Sequence, residues 1–209
     1  MIRVQQQPEP TDFGDRVREP GRRFLALNPH PSARALAARP YWRRAAKQLH
    51  HAYEGICAYT CHWIAIDTGW RTVEHFVPKS VDSDLAYEWS NFRLVCGRLN
   101  SRKGSHRDVL DPFVIHSGVF FIEFPTLLIK RSAGLSSDID ARAQNTIDRL
   151  RLNDETCINA RLAWVRPYCA GDIGLQYLRS HAPFIHQEIQ RQDLLPPRIC
   201  DRMGIWPDP

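Results

Sequence analysis

Residues 72–104 read TVEHFVPKSVDSDLAYEWSNFRLVCGRLNSRKG, and the fold is decided here. A β-branched run ends in a carboxylate beside an imidazole, Glu74-His75. A loop with Pro78 and the polar run Asp82-Ser83-Asp84 follows, anchored by Leu85, Tyr87 and Trp89. Asn91 then leads into a short apolar strand at 92–95, and residues 96–104 read as a short helix stopped by Gly104. Strand, loop, strand and helix is a compact way to bring Glu74, His75, Asn91 and Asn100 together.

Upstream, Pro40 suits a first helical turn and Gly55 a stop. Between them Trp42, Ala45, Ala46, Leu49 and Tyr53 fall at helical spacing, a stripe that predicts a buried face. Arg43, Arg44 and Lys47 lie off that stripe, either as a solvated face or as phosphate contacts. Residues 1–39 are rich in Pro and Arg with little apolar periodicity, which predicts an extended or partly disordered basic arm.

Charge is unevenly spread. Residues 1–55 hold ten Lys and Arg against five Asp and Glu, whereas 56–113 and 114–209 each balance. The whole net charge of +5 therefore lies ahead of the motif, and arginine, whose planar fork matches phosphate, supplies most of it. The run at 119–122 is far too short for a membrane span, and the N-terminal MIRVQQQPEP lacks the apolar core of a secretory signal. With six cysteines and no signal, reduced thiols and a cytoplasmic protein without membrane association are expected.

Downstream, 119–124 and 126–130 are β-rich and broken by Pro125, which predicts a hairpin. Helices follow, with stripes Ala143/Ile147/Leu150 and Ile158/Leu162/Val165/Cys169 and with Asn153 and Asp172 as candidate N-caps. A further helix is expected over 182–192, and Pro196-Pro197 and Pro207 predict an irregular tail. Phe184, Ile185, Ile189, Leu194 and Leu195 read either as core or as an apolar face for a partner or a second copy.

The motif resembles the HNH endonucleases, nucleases of the ββα-metal fold. Glu74-His75, Asn91 and Asn100 stand in order at the family's positions. The patterns Phe76-x-Pro78-Lys79-Ser80, Tyr87-x-Trp89-x-Asn91 and Asn100-x-x-Lys103-Gly104 are similar to the branch that includes the nuclease subunit of Septu-type and retron-linked anti-phage systems. The resemblance implies an α+β fold: an HNH core with its leading, covering helix over 40–113, and a hairpin and helical C-terminal lobe over 114–209 that form one compact unit with it.

It also implies a chemistry. His75 would be the general base, Asn91 would brace the loop that orients it, and Glu74 and Asn100 would give oxygens to Mg²⁺ or Mn²⁺. Lys103, Arg102, Arg98 and Lys79, with Arg43, Arg44 and Lys47, would face nucleic acid, DNA ahead of RNA. A defence-system ATPase is the implied protein partner, and a homodimer is open. The branch usually has four cysteines in two pairs, a structural zinc site. Here Thr60 and Leu99 replace one cysteine of each pair, so structural zinc is not expected and Cys57 and Cys96 read as buried thiols, with rescue of the site by Cys61 or His62 left open. A non-catalytic binding module and an RNA-directed nuclease are the rival readings.

Overall fold

The computed structural model describes residues 1–204, which form two compact units of mixed helix and sheet. One unit comprises Val4–Ala58 and Ile64–Arg107; the other comprises Met1–Arg3, Tyr59–Trp63 and residues 108–204. Both are assembled from discontinuous segments.

In the motif-bearing unit, β1 (Arg71–His75) and β2 (Phe92–Cys96) form an antiparallel pair with Thr72 opposite Val95, Glu74 opposite Arg93 and His75 opposite Phe92. The arm ahead of them is not extended. A π-helical turn, Gly14–Arg18, runs into α1 (Glu19–Leu27), and α2 (Ala33–Ala37) follows with Ser32 accepting from the Ala35 amide as N-cap. What orders it is aromatic packing that periodicity does not show. Phe13 is buried edge-on against Trp89 and Phe92, the Trp89 indole donates to the Gln7 carbonyl, and the Tyr87 hydroxyl donates to the Arg39 carbonyl. Gly21 is required where α1 crosses Tyr87, because a Cβ there would overlap the ring. Arg18 and Arg22 pair with Glu88, so part of the basic arm is spent within the fold.

The expected helix over 40–55 forms in two pieces, a 3₁₀ turn Tyr41–Ala45 and α3 (Ala46–Ala52). Trp42, Ala45, Leu49 and Tyr53 are buried as the stripe predicts, and Gly55 takes a positive φ of 73° just past the end. After β2, α4 (Gly97–Lys103) ends where Gly104 turns to φ 47°.

In the other unit, β3 (Phe120–Glu123) and β4 (Leu128–Arg131) pair antiparallel as the hairpin reading expects. Helices α5 (Ser137–Leu150), α6 (Glu155–Ala170), α7 (Leu175–His181), α8 (Pro183–Arg191) and α9 (Pro196–Met203) follow. Asp154, not Asn153, caps α6, accepting from the Cys157 amide at 2.9 Å; Asn153 instead clamps both backbone groups of Ile129. Gly174, not Asp172, stands at the N-cap of α7. Pro196 opens α9 rather than an irregular tail, since a prolyl ring suits the first helical turn; Pro207 lies outside the described residues. Of the two readings of Phe184, Ile185, Ile189, Leu194 and Leu195, the structure favours core: the first four are buried and Leu195 alone of that set is exposed. Among the described residues no helix is long and apolar enough to cross a membrane.

Candidate functional site

Side chains alternate along β1, so Thr72 and Glu74 share one side of the strand, toward α4. Helical spacing places Asn100 and Lys103 one turn apart to meet them. The Asn100 amide donates to Thr72 Oγ1 at 2.9 Å and to the Val73 carbonyl at 3.3 Å. Both of its N–H groups are thereby committed to β1, and Oδ1 is the atom left to accept or to coordinate.

Lys103 departs from expectation. It was expected to face a substrate phosphate, yet its side chain is 0% exposed, with Nζ 2.6 Å from Glu74 Oε1. The same ammonium donates to the carbonyls of His75 at 2.7 Å and Phe76 at 2.6 Å. An ammonium has three donors, and all three are used inside the protein. Glu74 is itself only 1% exposed, so a buried carboxylate is neutralised in place by a lysine 29 positions along the chain.

His75 is buried at 7% exposure, its ring edge-on to Trp42 at 5.1 Å and to Phe92 at 5.2 Å. Its Nε2 lies 2.9 Å from the Ala86 carbonyl. A carbonyl only accepts, so Nε2 carries the proton and Nδ1 holds the free lone pair. Burial pushes the imidazole pKa down to about 3; Lys79 and Lys103 add to the fall and the Ala86 carbonyl opposes it. The ring is therefore neutral at ordinary pH.

Asn91 is a brace. Its Oδ1 accepts from the Val77 amide at 2.8 Å, and its Nδ2 donates to the carbonyls of Val77 at 2.9 Å and Leu85 at 3.1 Å. Leu85 adjoins Ala86, so Asn91 holds the loop that holds His75.

Glu74, His75 and Asn100 line one cavity of about 830 Å³, together with Trp42, Arg43, Trp70, Arg71, Thr72, Lys79 and Ser105 among others. Of the basic residues expected to meet nucleic acid, Lys79 and Arg43 reach this cavity, and Lys79 Nζ sits 5.1 Å over the Trp42 ring. Burial lowers the Lys79 pKa, with Lys103 and Arg43 adding to that shift and Glu74 opposing it. Arg44 is turned away, its guanidinium over Tyr41 and bonded to the Arg16 carbonyl. Arg98 and Lys47 are exposed and Arg102 half-buried, and none of these three lines the cavity.

Sequence reasoning missed Trp42 as the wall against His75, the Ala86 carbonyl, and Trp70 and Arg71 at the rim. The Trp42 stripe was the available signal, but it was legible only as core.

No protein-family model matches the chain. It is 26% identical over 115 residues to Septu protein PtuB of Bacillus thuringiensis. That match spans 55% of this chain and 42% of the relative, so it reaches less than half of the relative's length.

The cysteines fall as their sequence context suggests only in part. Among the described residues none of the six cysteines is in a disulfide; Cys57 and Cys61 are buried, whereas Cys96 is half-buried at the N-cap of α4. Among the described residues no three His, Cys, Asp or Glu side chains gather as a metal site. For a hard cation in the cavity, the donor set is the Glu74 carboxylate and the Asn100 amide oxygen. It is oxygen-only chemistry of the kind Mg²⁺ accepts with water and phosphate completing its shell.

Proposed function

We propose that the motif-bearing unit is an HNH-type nuclease of the ββα-metal fold, hydrolysing phosphodiester bonds in nucleic acid with a divalent cation, DNA ahead of RNA. The observation that carries this reading is the tautomer of His75. A neutral imidazole is fixed at Nε2 by a backbone carbonyl, and it lines the same cavity as two oxygen donors. A general base needs a free lone pair held in one direction, and this arrangement supplies it.

Glu74 and Asn100 would hold Mg²⁺ or Mn²⁺, which when bound lowers the pKa of water and offsets charge developing on phosphate. His75 accepts the proton of the attacking water at Nδ1. Asn91 keeps the loop, and through it the imidazole, in place. Lys79 and Arg43 draw the polyanion to the cavity. Lys103 holds Glu74 in place through their ion pair, acting within the fold and not on substrate.

The similarity to a Septu protein supports a part in anti-phage defence; a cytoplasmic location, and a defence-system ATPase or a second copy of this chain as partner, belong to the same proposal. With Thr60 and Leu99 in place of two thiolates, the purified protein carries well under one zinc per chain.

The buried Lys103–Glu74 pair also favours a second reading, a nucleic-acid-binding subunit that does not cut. A cation must share Glu74 with an ammonium already 2.6 Å away. One assay separates the two. Plasmid DNA, single-stranded DNA and RNA are incubated with the protein in Mg²⁺ or Mn²⁺, in chelator, and with the His75→Gln variant. Cutting that needs the cation and is lost in His75→Gln is the expected result. Wild-type cutting by His75→Gln overturns the assignment, and tight binding without cutting establishes the second reading. Preference for RNA would reassign the substrate on the same site.

A further inference from the structure

Trp70 is 70% exposed, yet its indole is not loose. The Gly97 amide donates to the Trp70 carbonyl at 2.7 Å, which ties the residue to the start of α4. One face of the ring lies directly on the Cα of Gly97: a Cβ there would overlap the indole Cδ2 and Cε3. Glycine at 97 is thus what lets the ring lie flat against backbone. An aromatic ring braced on one face, open on the other, and lining the cavity of Glu74, His75 and Asn100 is a preorganised stacking platform.

From this geometry, and resting on the nuclease reading above, we propose that Trp70 stacks an unpaired base of the substrate strand beside the scissile phosphate. The preferred substrate is then single-stranded nucleic acid or a strand with a displaced base. A base inside a duplex has both π-faces covered by its neighbours, so an exposed indole gains contact only with a base that has left the stack. Stacking is sequence-tolerant, and the groups around it suit the rest of a nucleotide. Arg71 adjoins Trp70 on β1, while Arg43 and Lys79 line the cavity as further cations for phosphate. The volume of about 830 Å³ is ample for one nucleotide.

The test reads binding, not cleavage, so it does not depend on catalysis. In a His75→Gln background with Mg²⁺, the affinities for a short labelled oligothymidine and for a duplex of equal length are measured by fluorescence anisotropy. Trp70→Ala is expected to weaken single-strand binding about tenfold while duplex binding moves by about twofold or less. Trp70→Phe, which keeps a ring, restores most of the loss. Equal losses on both substrates, or none on either, overturn the platform even if the protein cuts DNA. The expected split in a chain that never cuts would uphold the platform and discard the nuclease reading.

Discussion

Lys103 Nζ and Glu74 Oε1 lie 2.6 Å apart with both side chains essentially out of water. An ion pair withdrawn from solvent is costly to break from one side, because the remaining charge has no water to return to. Lys103→Met is therefore expected to destabilise the motif-bearing unit by about 3–5 kcal/mol, read as a lowered urea midpoint. Adding Glu74→Gln to Lys103→Met should recover much of that loss. A double variant as unstable as the sum of the singles would mean that the two groups do not depend on each other.

Removing Asn91 should loosen the loop before it touches chemistry. Asn91→Ala deletes three hydrogen bonds to the backbone of Val77 and Leu85 and is expected to cost about 2–3 kcal/mol. Hydrogen exchange should show the Val77 amide losing protection first. Unchanged protection over 77–86 would contradict the bracing role.

Acid should weaken the fold through its buried histidines. Burial lowers both His75 and His62 from 6.5 to about 3 in the folded protein. Between those values the unfolded chain binds the proton and the folded chain does not. Stability is therefore full above about pH 6.5 and is lost as pH falls toward 3. At pH 5 the loss is roughly 2 kcal/mol for each such histidine. Urea midpoints at pH 7.5 and pH 5 check this, and His75→Gln should roughly halve the difference, because His62 keeps its share. A midpoint that holds steady between the two would mean that the imidazoles protonate in the folded state.

His75 packs as well as lining the cavity. Its ring sits between Trp42 and Phe92, and such edge-on pairs contribute about 0.5–1.5 kcal/mol each. A histidine variant must therefore be shown to be folded before its lost activity is assigned to chemistry.

Neighbouring arginines should separate in nucleic-acid binding. Arg43 lines the cavity, whereas Arg44 is engaged by Tyr41 and the Arg16 carbonyl. Arg43→Glu should weaken binding and lower its salt dependence by about one counterion, and Arg44→Glu should change both less. Equal effects would place the polyanion across the helix surface rather than at the cavity.

What the sequence by itself determined is local. β-Branched and β-rich runs with turn residues predicted the strands of both β-pairs, and helical spacing predicted the stripe of Trp42, Ala45, Ala46, Leu49 and Tyr53, of which all but the half-buried Ala46 are buried. The order of Glu74, His75, Asn91 and Asn100 was enough to expect these four side chains together; in the structure Glu74, His75 and Asn100 line one cavity, and Asn91 braces the loop that ends at Ala86. Each of these signals acts over a few residues, where backbone geometry leaves few choices. Tertiary structure decided which polar groups meet. Lys103 and His75 are 28 positions apart, Trp89 and Gln7 82 apart, and no periodicity links such pairs. A cation one turn beyond Asn100 could equally face solvent phosphate or a buried carboxylate. Packing of α4 on β1 sent it inward, because Glu74 and two backbone carbonyls there needed donors more than water needed a lysine.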